Sequence, residues 1–258
     1  MSAPETEYRP REFWQERLSS QFDLRGTGHP GLSDAYNERC YRLRGFALDQ
    51  VLAHHRVPVA GREVLDAGCG TGFFVERFLD KGAHVTGVDL TDVAVERLSA
   101  RFPAAKFQVG DLSEWRADRT YDVVSCFDVL FHIVDPVLWD RALTNLTDAV
   151  APGGWFVFTE HFPLTPPRDL AAHNVARTWP EYETALMARG LVIHDQRPTH
   201  HLMNRELGVF RFLNRFPELL YRIDLGLMTT GLLNEDGRNR IVLAQRPLAL
   251  ERPAAKLA

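Results

Sequence analysis

Apolar residues in the first sixty positions recur with the period of a helix. Tyr36, Cys40, Leu43, Ala47 and Val51 are spaced four, three, four and four apart, which puts them on one helical face. Ser33 stands ahead of them as an N-cap, and Gly26-Thr27-Gly28-His29-Pro30-Gly31 before it must be a loop. From about residue 61 the pattern changes to short apolar runs separated by amphipathic stretches. Glu63–Asp66, His84–Asp89, Lys106–Val109, Tyr121–Cys126 and Trp155–Thr159 read as strands one to five. Between them, Phe74, Val75, Phe78 and Leu79 form a helical stripe closed by Gly82, and Thr91 caps a helix carrying Ala94, Val95 and Leu98. Asp135-Pro136 opens a further helix, which runs through Trp139, Leu143 and Leu146 until Pro152-Gly153-Gly154 stops it. Strands alternating with helices predict a parallel sheet covered on both faces.

Beyond residue 160 the pattern is mixed. Thr178-Trp179-Pro180-Glu181 is a capping box for a helix ending at Gly190, and Leu191–His194 and Arg240–Ala244 read as two last strands. The stretch between them, about 203–238, is too long for a hairpin loop. Its Phe210, Phe212, Leu213, Phe216, Leu219, Leu220, Tyr221 and Ile223 predict a short helical insert bent at Pro217. The organisation expected is therefore a helical arm or lid over residues 1–60, an α/β domain over 61–247 containing the insert, and a frayed tail at 248–258.

Composition narrows the class. With 258 residues, 45% hydrophobic and 25% charged, the chain is neither disordered nor fibrous. A net charge of −4 and the lack of a basic stripe with interleaved aromatics disfavour a nucleic-acid partner. No run of about 18 apolar residues predicts a membrane span, and the first residues carry no secretory pattern. Three cysteines, Cys40, Cys69 and Cys126, are an odd number without paired spacing, which favours a reducing, cytoplasmic setting.

The chemistry concentrates at Val64-Leu65-Asp66-Ala67-Gly68-Cys69-Gly70-Thr71-Gly72, between a strand and a helix. Glycines at 68, 70 and 72 permit a tight turn and close approach of a ligand to backbone. The spacing is not that of the dinucleotide fingerprint, since residue 73 is Phe, and no Gly-Lys-Ser/Thr follows as in a P-loop. Asp66 beside the loop would repel a pyrophosphate and favour a cationic, nucleoside-like ligand, a description that S-adenosylmethionine fits. Asp89 ends strand two about twenty residues on, where a ribose-binding acid belongs, and Asp111 follows strand three at a similar interval.

These segments closely resemble the motifs of the class I S-adenosylmethionine-dependent methyltransferases, including the quinone-biosynthesis type. The glycine loop matches the first motif, Val88-Asp89-Leu90 the second, Gly110-Asp111-Leu112 the third and Tyr121–Phe127 the fourth. The resemblance covers about residues 33–160 well and the last strands loosely. It implies a Rossmann-like, seven-stranded, mostly parallel sheet in which only the last-placed strand is antiparallel. It also implies that backbone at Gly68 and Gly70, with Cys69 between them, lies against the methionine portion of the cofactor. Asp89 would take the ribose hydroxyls, Leu90 and Leu112 would sandwich adenine, and Asp111 would meet its amino group. Phe127 would line the transfer site, and Tyr36 or Arg39 would meet the cofactor carboxylate.

Methyl transfer to oxygen needs a proton acceptor. His132 after strand four, His161 after strand five and His200 after strand six are the candidate bases. Asp128, Glu160, His161 and His200 show no tight ligand spacing, so no metal is expected. His54 and His55 end an arm helix, where a solvated role is expected. The arm and the aromatic insert are expected either to roof the pocket for a largely hydrophobic small molecule or, in the insert's case, to bury a homodimer interface. Protein or RNA methylation and cofactor binding without transfer are the alternatives. A dehydrogenase would not tolerate Asp66.

Overall fold

The computed structural model describes residues 8–163, 173–203, 208–231 and 239–248. Two helices come first, α1 (Pro10–Ser20) and α2 (Asp34–His54). Ser33 begins α2 as its spacing predicts, accepting a hydrogen bond from the backbone of Tyr36. Then follow β1 (Glu63–Ala67), α3 (Phe73–Asp80), β2 (His84–Asp89), α4 (Asp92–Arg101), β3 (Lys106–Val109) and β4 (Tyr121–Phe127). A short 3₁₀ turn at Leu130–His132 leads to α5 (Pro136–Asp148), β5 (Val150–His161), α6 (Trp179–Ala188) and β6 (Val192–Pro198). A second 3₁₀ segment, Gly208–Arg215, precedes α7 (Pro217–Thr230) and β7 (Asn239–Gln245).

The strands form one seven-stranded sheet in the order β3-β2-β1-β4-β5-β7-β6. Only β7 runs antiparallel, against β5 on one side and β6 on the other. Adjacent residues of each central strand point to opposite faces and join different cores. Val64, Val123, Val157 and Leu243 pack with α2, α3 and α7, while Leu65, Val124, Phe156 and Val242 pack with α5 and α6. α1 docks separately, seating Leu18 on Val93 and Ala94 of α4.

Three segments depart from the pattern-based expectation. β5 is longer, because Pro152-Gly153-Gly154 does not separate helix from strand but forms an irregularity inside the strand. Its pairing with β4 jumps from Tyr121↔Val150 to Val123↔Trp155, and Gly153 takes a φ of +78° there. β6 extends past His194 to Pro198 because an edge strand tolerates the polar run Asp195-Gln196-Arg197, which shows no apolar alternation. The insert breaks at Pro217 as expected, and none of its described residues lines the cavity described below. α7 packs on α2, burying Leu220 and Met228, and Phe212, Phe216 and Leu219 remain exposed. Residues 204–207, 232–238 and 249–258 and the side chain of Phe210 lie outside the described set.

Candidate cofactor and substrate site

One cavity of about 410 Å³ opens over the carboxyl ends of β1, β2, β3 and β4. In open α/β sheets that is the binding crevice, where strand order reverses between β1 and β4. Its floor is the glycine loop. Gly68 and Cys69 donate backbone hydrogen bonds to the carbonyl of Val88, at 2.7 and 3.1 Å, which ties the loop to β2. Gly68 and Gly70 have φ of +76° and +51°, the left-handed region that side chains disfavour. A Cβ on Gly68 would sit 2.3 Å from Cγ2 of Val129, which lines the cavity wall.

Asp89 ends β2 with its carboxylate fixed on both oxygens. Oδ2 accepts from the backbone N–H of Gly70 at 2.8 Å, and Oδ1 accepts from the backbone and hydroxyl of Thr91. Burial pushes its pKa up, against the lowering effect of those donors. Asp111 is held likewise, Oδ1 accepting from the backbone and hydroxyl of Ser113. Leu90 and Leu112 stand beside the two acids in the lining. Phe127 stacks on Phe74 with ring centroids 3.8 Å apart, making an aromatic wall.

Asp66 does not reach the cavity. It lies under the loop, 2% exposed, accepting a hydrogen bond from Ser125 at 2.8 Å. Burial first, and the neighbouring charge of Asp89 besides, raise its pKa to about 7. Tyr36 is a core residue on the sheet-facing stripe of α2, and Arg39 pairs with Glu218 of α7 at 2.7 Å; neither lines the cavity. The arm contributes other residues. Tyr41 donates to the Thr27 hydroxyl at 2.7 Å, and Thr27 lies 3.4 Å from the Thr71 hydroxyl, a chain linking α2 and its preceding loop to the glycine loop. Arg44, buried on the next turn, forms an ion pair at 2.8 Å with the partly exposed Asp128. Asp128 itself has a φ of +57° and accepts from the Thr159 hydroxyl.

The three candidate histidines separate clearly. His132 lines the cavity; His161 and His200 do not. His161 lies 3.2 Å from Asn239 across β5 and β7, and His200 is buried beside the Thr199 hydroxyl at 2.9 Å. Nδ1 of His132 is 2.8 Å from the carbonyl oxygen of His173. A carbonyl only accepts, so Nδ1 carries the proton and Nε2 presents its lone pair. Burial lowers the pKa of this imidazole to about 4. Trp14 of α1 meets it edge-on, with centroids 4.9 Å apart, and Tyr8, Pro10 and Leu18 continue the roof. Among the described residues the roof is α1, part of the expected arm, and no residue of the insert lines the cavity. The roof's signal in the sequence is the Trp14–Leu18 pair, four apart in a helix otherwise largely polar apart from Phe13.

Comparisons with known proteins agree with this architecture. Residues 64–154 match a family described as a methyltransferase domain. A ubiquinone biosynthesis O-methyltransferase of Xanthomonas oryzae pv. oryzae (strain PXO99A) is 31% identical over 225 residues, 83% of each chain. Another protein of that description, from Albidiferax ferrireducens, is 35% identical over 144 residues, 53% of this chain and 54% of the relative. The match therefore spans about half the length of some curated relatives. The crystal structure of magnesium protoporphyrin IX methyltransferase from Synechocystis PCC 6803 with bound S-adenosylmethionine superposes with a TM-score of 0.61. It covers 95% of this chain and 100% of that one, and at 18% identity the likeness is one of fold. A doubly wound sheet with an acid-flanked glycine loop at its switch point defines a protein built around a nucleoside-bearing cofactor. The chain belongs to the class I S-adenosylmethionine-dependent methyltransferases.

The cavity suits that cofactor on its own chemistry. Two glycines in left-handed conformation clear space beside the loop, and two fixed carboxylates stand over β2 and β3 with apolar side chains next to them. No phosphate-binding cation is needed or provided at the loop.

Proposed function

We propose that this protein methylates a hydroxyl oxygen of a small, largely apolar molecule, with His132 as the general base. The observation carrying this reading is the state of His132: in the cavity wall, neutral, with Nδ1–H committed to the His173 carbonyl and Nε2 left as acceptor. S-adenosylmethionine supplies the electrophilic methyl group when bound. The remaining work falls to the chain. Gly68, Gly70, Asp89 and Asp111 hold the cofactor, and the Phe74–Phe127 wall with Trp14, Val129 and Ile133 excludes water from the substrate side. His132 Nε2 takes the hydroxyl proton as the oxygen attacks. Orientation of the two reactants accounts for much of the rate. That the relatives are ubiquinone biosynthesis O-methyltransferases supports oxygen as the acceptor.

The test uses methyl-labelled S-adenosylmethionine and an extract of the source organism, fractionated into macromolecules and small molecules. Label in a small molecule heavier by one methyl supports the reading; label in protein or RNA, or none despite tight cofactor binding, overturns it. With the acceptor in hand, His132→Ala should slow single turnover about 10²- to 10⁴-fold at saturating cofactor. His161→Ala and His200→Ala should leave the chemical step unchanged.

A further inference from the structure

Away from the cavity, the C-terminal end of α2 meets the edge strand β6 in a cluster of imidazoles that methyl transfer does not use. α2 closes on His54, with His55 as its C-cap. On β6, the pairing with β7 shifts register between Ile193 and Asp195. Such an irregularity breaks the strict alternation of faces and re-aims side chains. Consecutive residues of β6 accordingly approach the same partner. Asp195 Oδ2 lies 2.8 Å from His55 Nε2, and the ring of His194 is 5.9 Å from that of His55, centroid to centroid. His54 and His55 are themselves 4.8 Å apart by ring centroid. One ligand atom each from His54, His55 and Asp195 all fall within 4.8 Å of one another.

We propose that this cluster binds a divalent first-row transition metal of the zinc type. His54, His55 and Asp195 are the ligands, water completes the coordination, and the ion fastens the end of α2 to β6. Imidazole nitrogens with one carboxylate oxygen are a donor set that zinc and its neighbours favour. Tetrahedral zinc needs ligand atoms about 3.4 Å apart, given metal–ligand bonds of about 2.0–2.2 Å. The ligand atoms lie within 4.8 Å of one another, so coordination draws them together, and His54 is exposed, which leaves its ring room to turn. The ligands sit at a helix C-terminus, where the backbone dipole favours a cation. Arg197 is the competing charge, but both its contacts with Asp195 fall on Oδ2, at 2.8 Å from Nε and 2.5 Å from Nη2. Oδ1 of the same carboxylate is the oxygen available to a metal. The same helix carries Tyr41 to the cavity wall and Arg44 to Asp128 beside it, so a metal here steadies an element of the active site without entering it.

The test takes the untagged full chain, stripped of metal with a chelator, and titrates it with cobalt(II) and then zinc(II). Saturation at one equivalent is expected, with the visible ligand-field absorption of low-coordinate cobalt, displacement by zinc, and a melting temperature that rises with zinc concentration. His55→Ala and Asp195→Asn should each weaken binding at least tenfold. His54→Ala, at an exposed position, should weaken it while leaving the metal-free melting temperature unchanged, which separates ligand loss from misfolding. Three results overturn the proposal: no saturable binding, affinity in His54→Ala/His55→Ala equal to that of the wild type, or binding that is lost in His132→Ala instead.

Discussion

Replacing Gly68 by alanine tests the floor of the cavity, and its cost divides into two separable parts. At a φ of +76° a Cβ is strained whatever the space around it, by about 1–2 kcal/mol. The new methyl would also lie 2.3 Å from Cγ2 and 3.1 Å from Cγ1 of Val129, which is overpacking and costs about 1–3 kcal/mol as the wall gives way. Gly68→Ala should therefore destabilise the protein by about 2–5 kcal/mol. S-adenosylmethionine affinity should fall tenfold or more, because Val129 is displaced from the cavity wall. Val129→Ala removes both clashing atoms and leaves only the Val129 Cβ at 3.2 Å, a contact that a shift of a few tenths of an ångström relieves. In that background the same glycine substitution should cost only the backbone strain. The four proteins of the cycle are compared by urea midpoints and by calorimetric titration with cofactor. A coupling energy of about 1–3 kcal/mol is expected. Equal costs in both backgrounds, within about 0.5 kcal/mol, would refute the claim that Val129 is what Gly68 makes room for.

Three further outcomes follow from the charges around the site. Because burial holds the pKa of His132 near 4, the single-turnover rate should show no inflection near 6.5 and should persist down to about pH 5; a break at 6.5 in wild type that His132→Gln abolishes would contradict the buried, neutral imidazole. Asp66 is raised to about 7 when folded, against about 3.9 unfolded, so the unfolded chain releases a proton that the folded one retains. Apo stability should then fall as pH rises from about 4 to 7, by at most about 4 kcal/mol from this group. Glu160, raised to about 8, acts in the same sense, so Asp66→Asn should flatten the slope of urea midpoint against pH only in part, and parallel slopes would refute the assignment. Arg44→Met should cost about 3 kcal/mol by leaving the Asp128 carboxylate with only the Thr159 hydroxyl; adding Asp128→Asn should recover part of that loss in urea denaturation, and a further additive loss would count against a charge-driven cost.

Much of the architecture was legible because local signals and the tertiary solution agree. Ser33, Thr91, Asp135 and Thr178 all serve as the caps their sequence positions predict. The acids that end β2 and follow β3 stand over one crevice because parallel strands present their carboxyl ends together. Elsewhere the local signal was ambiguous. Tyr36 belongs to the same apolar stripe that identified α2, and that membership already marks it as a residue facing the sheet. The side chains that reach the cavity, Tyr41 and Thr27, lie off the stripe and on a loop, where no periodicity reports direction. Roofing is expected of both the arm and the aromatic-rich insert; among the described residues α1 of the arm covers the cavity with a few apolar side chains, and the insert's composition does not report where it packs. His132, His161 and His200 share the motif-level description of a histidine after a strand. Only three-dimensional placement separates the one in the cavity wall from the two beside β7.

The long excursion between β6 and β7 begins and ends at a single point. The backbone N–H of Thr199 donates to the carbonyl of Asn239 at 2.9 Å, so the two feet of the insert are already hydrogen-bonded neighbours. Closing a loop of about forty residues in place of a four-residue turn costs only about 2 kcal/mol in chain entropy. Burial of Leu220 and Met228 against α2, at about 1.5–3 kcal/mol each, offsets that cost. Among the described residues, the insert is held chiefly by the packing of α7 on α2. Amides of α7 should therefore exchange with solvent together, well before those of β5 and β7, while the β5–β7–β6 ladder stays paired.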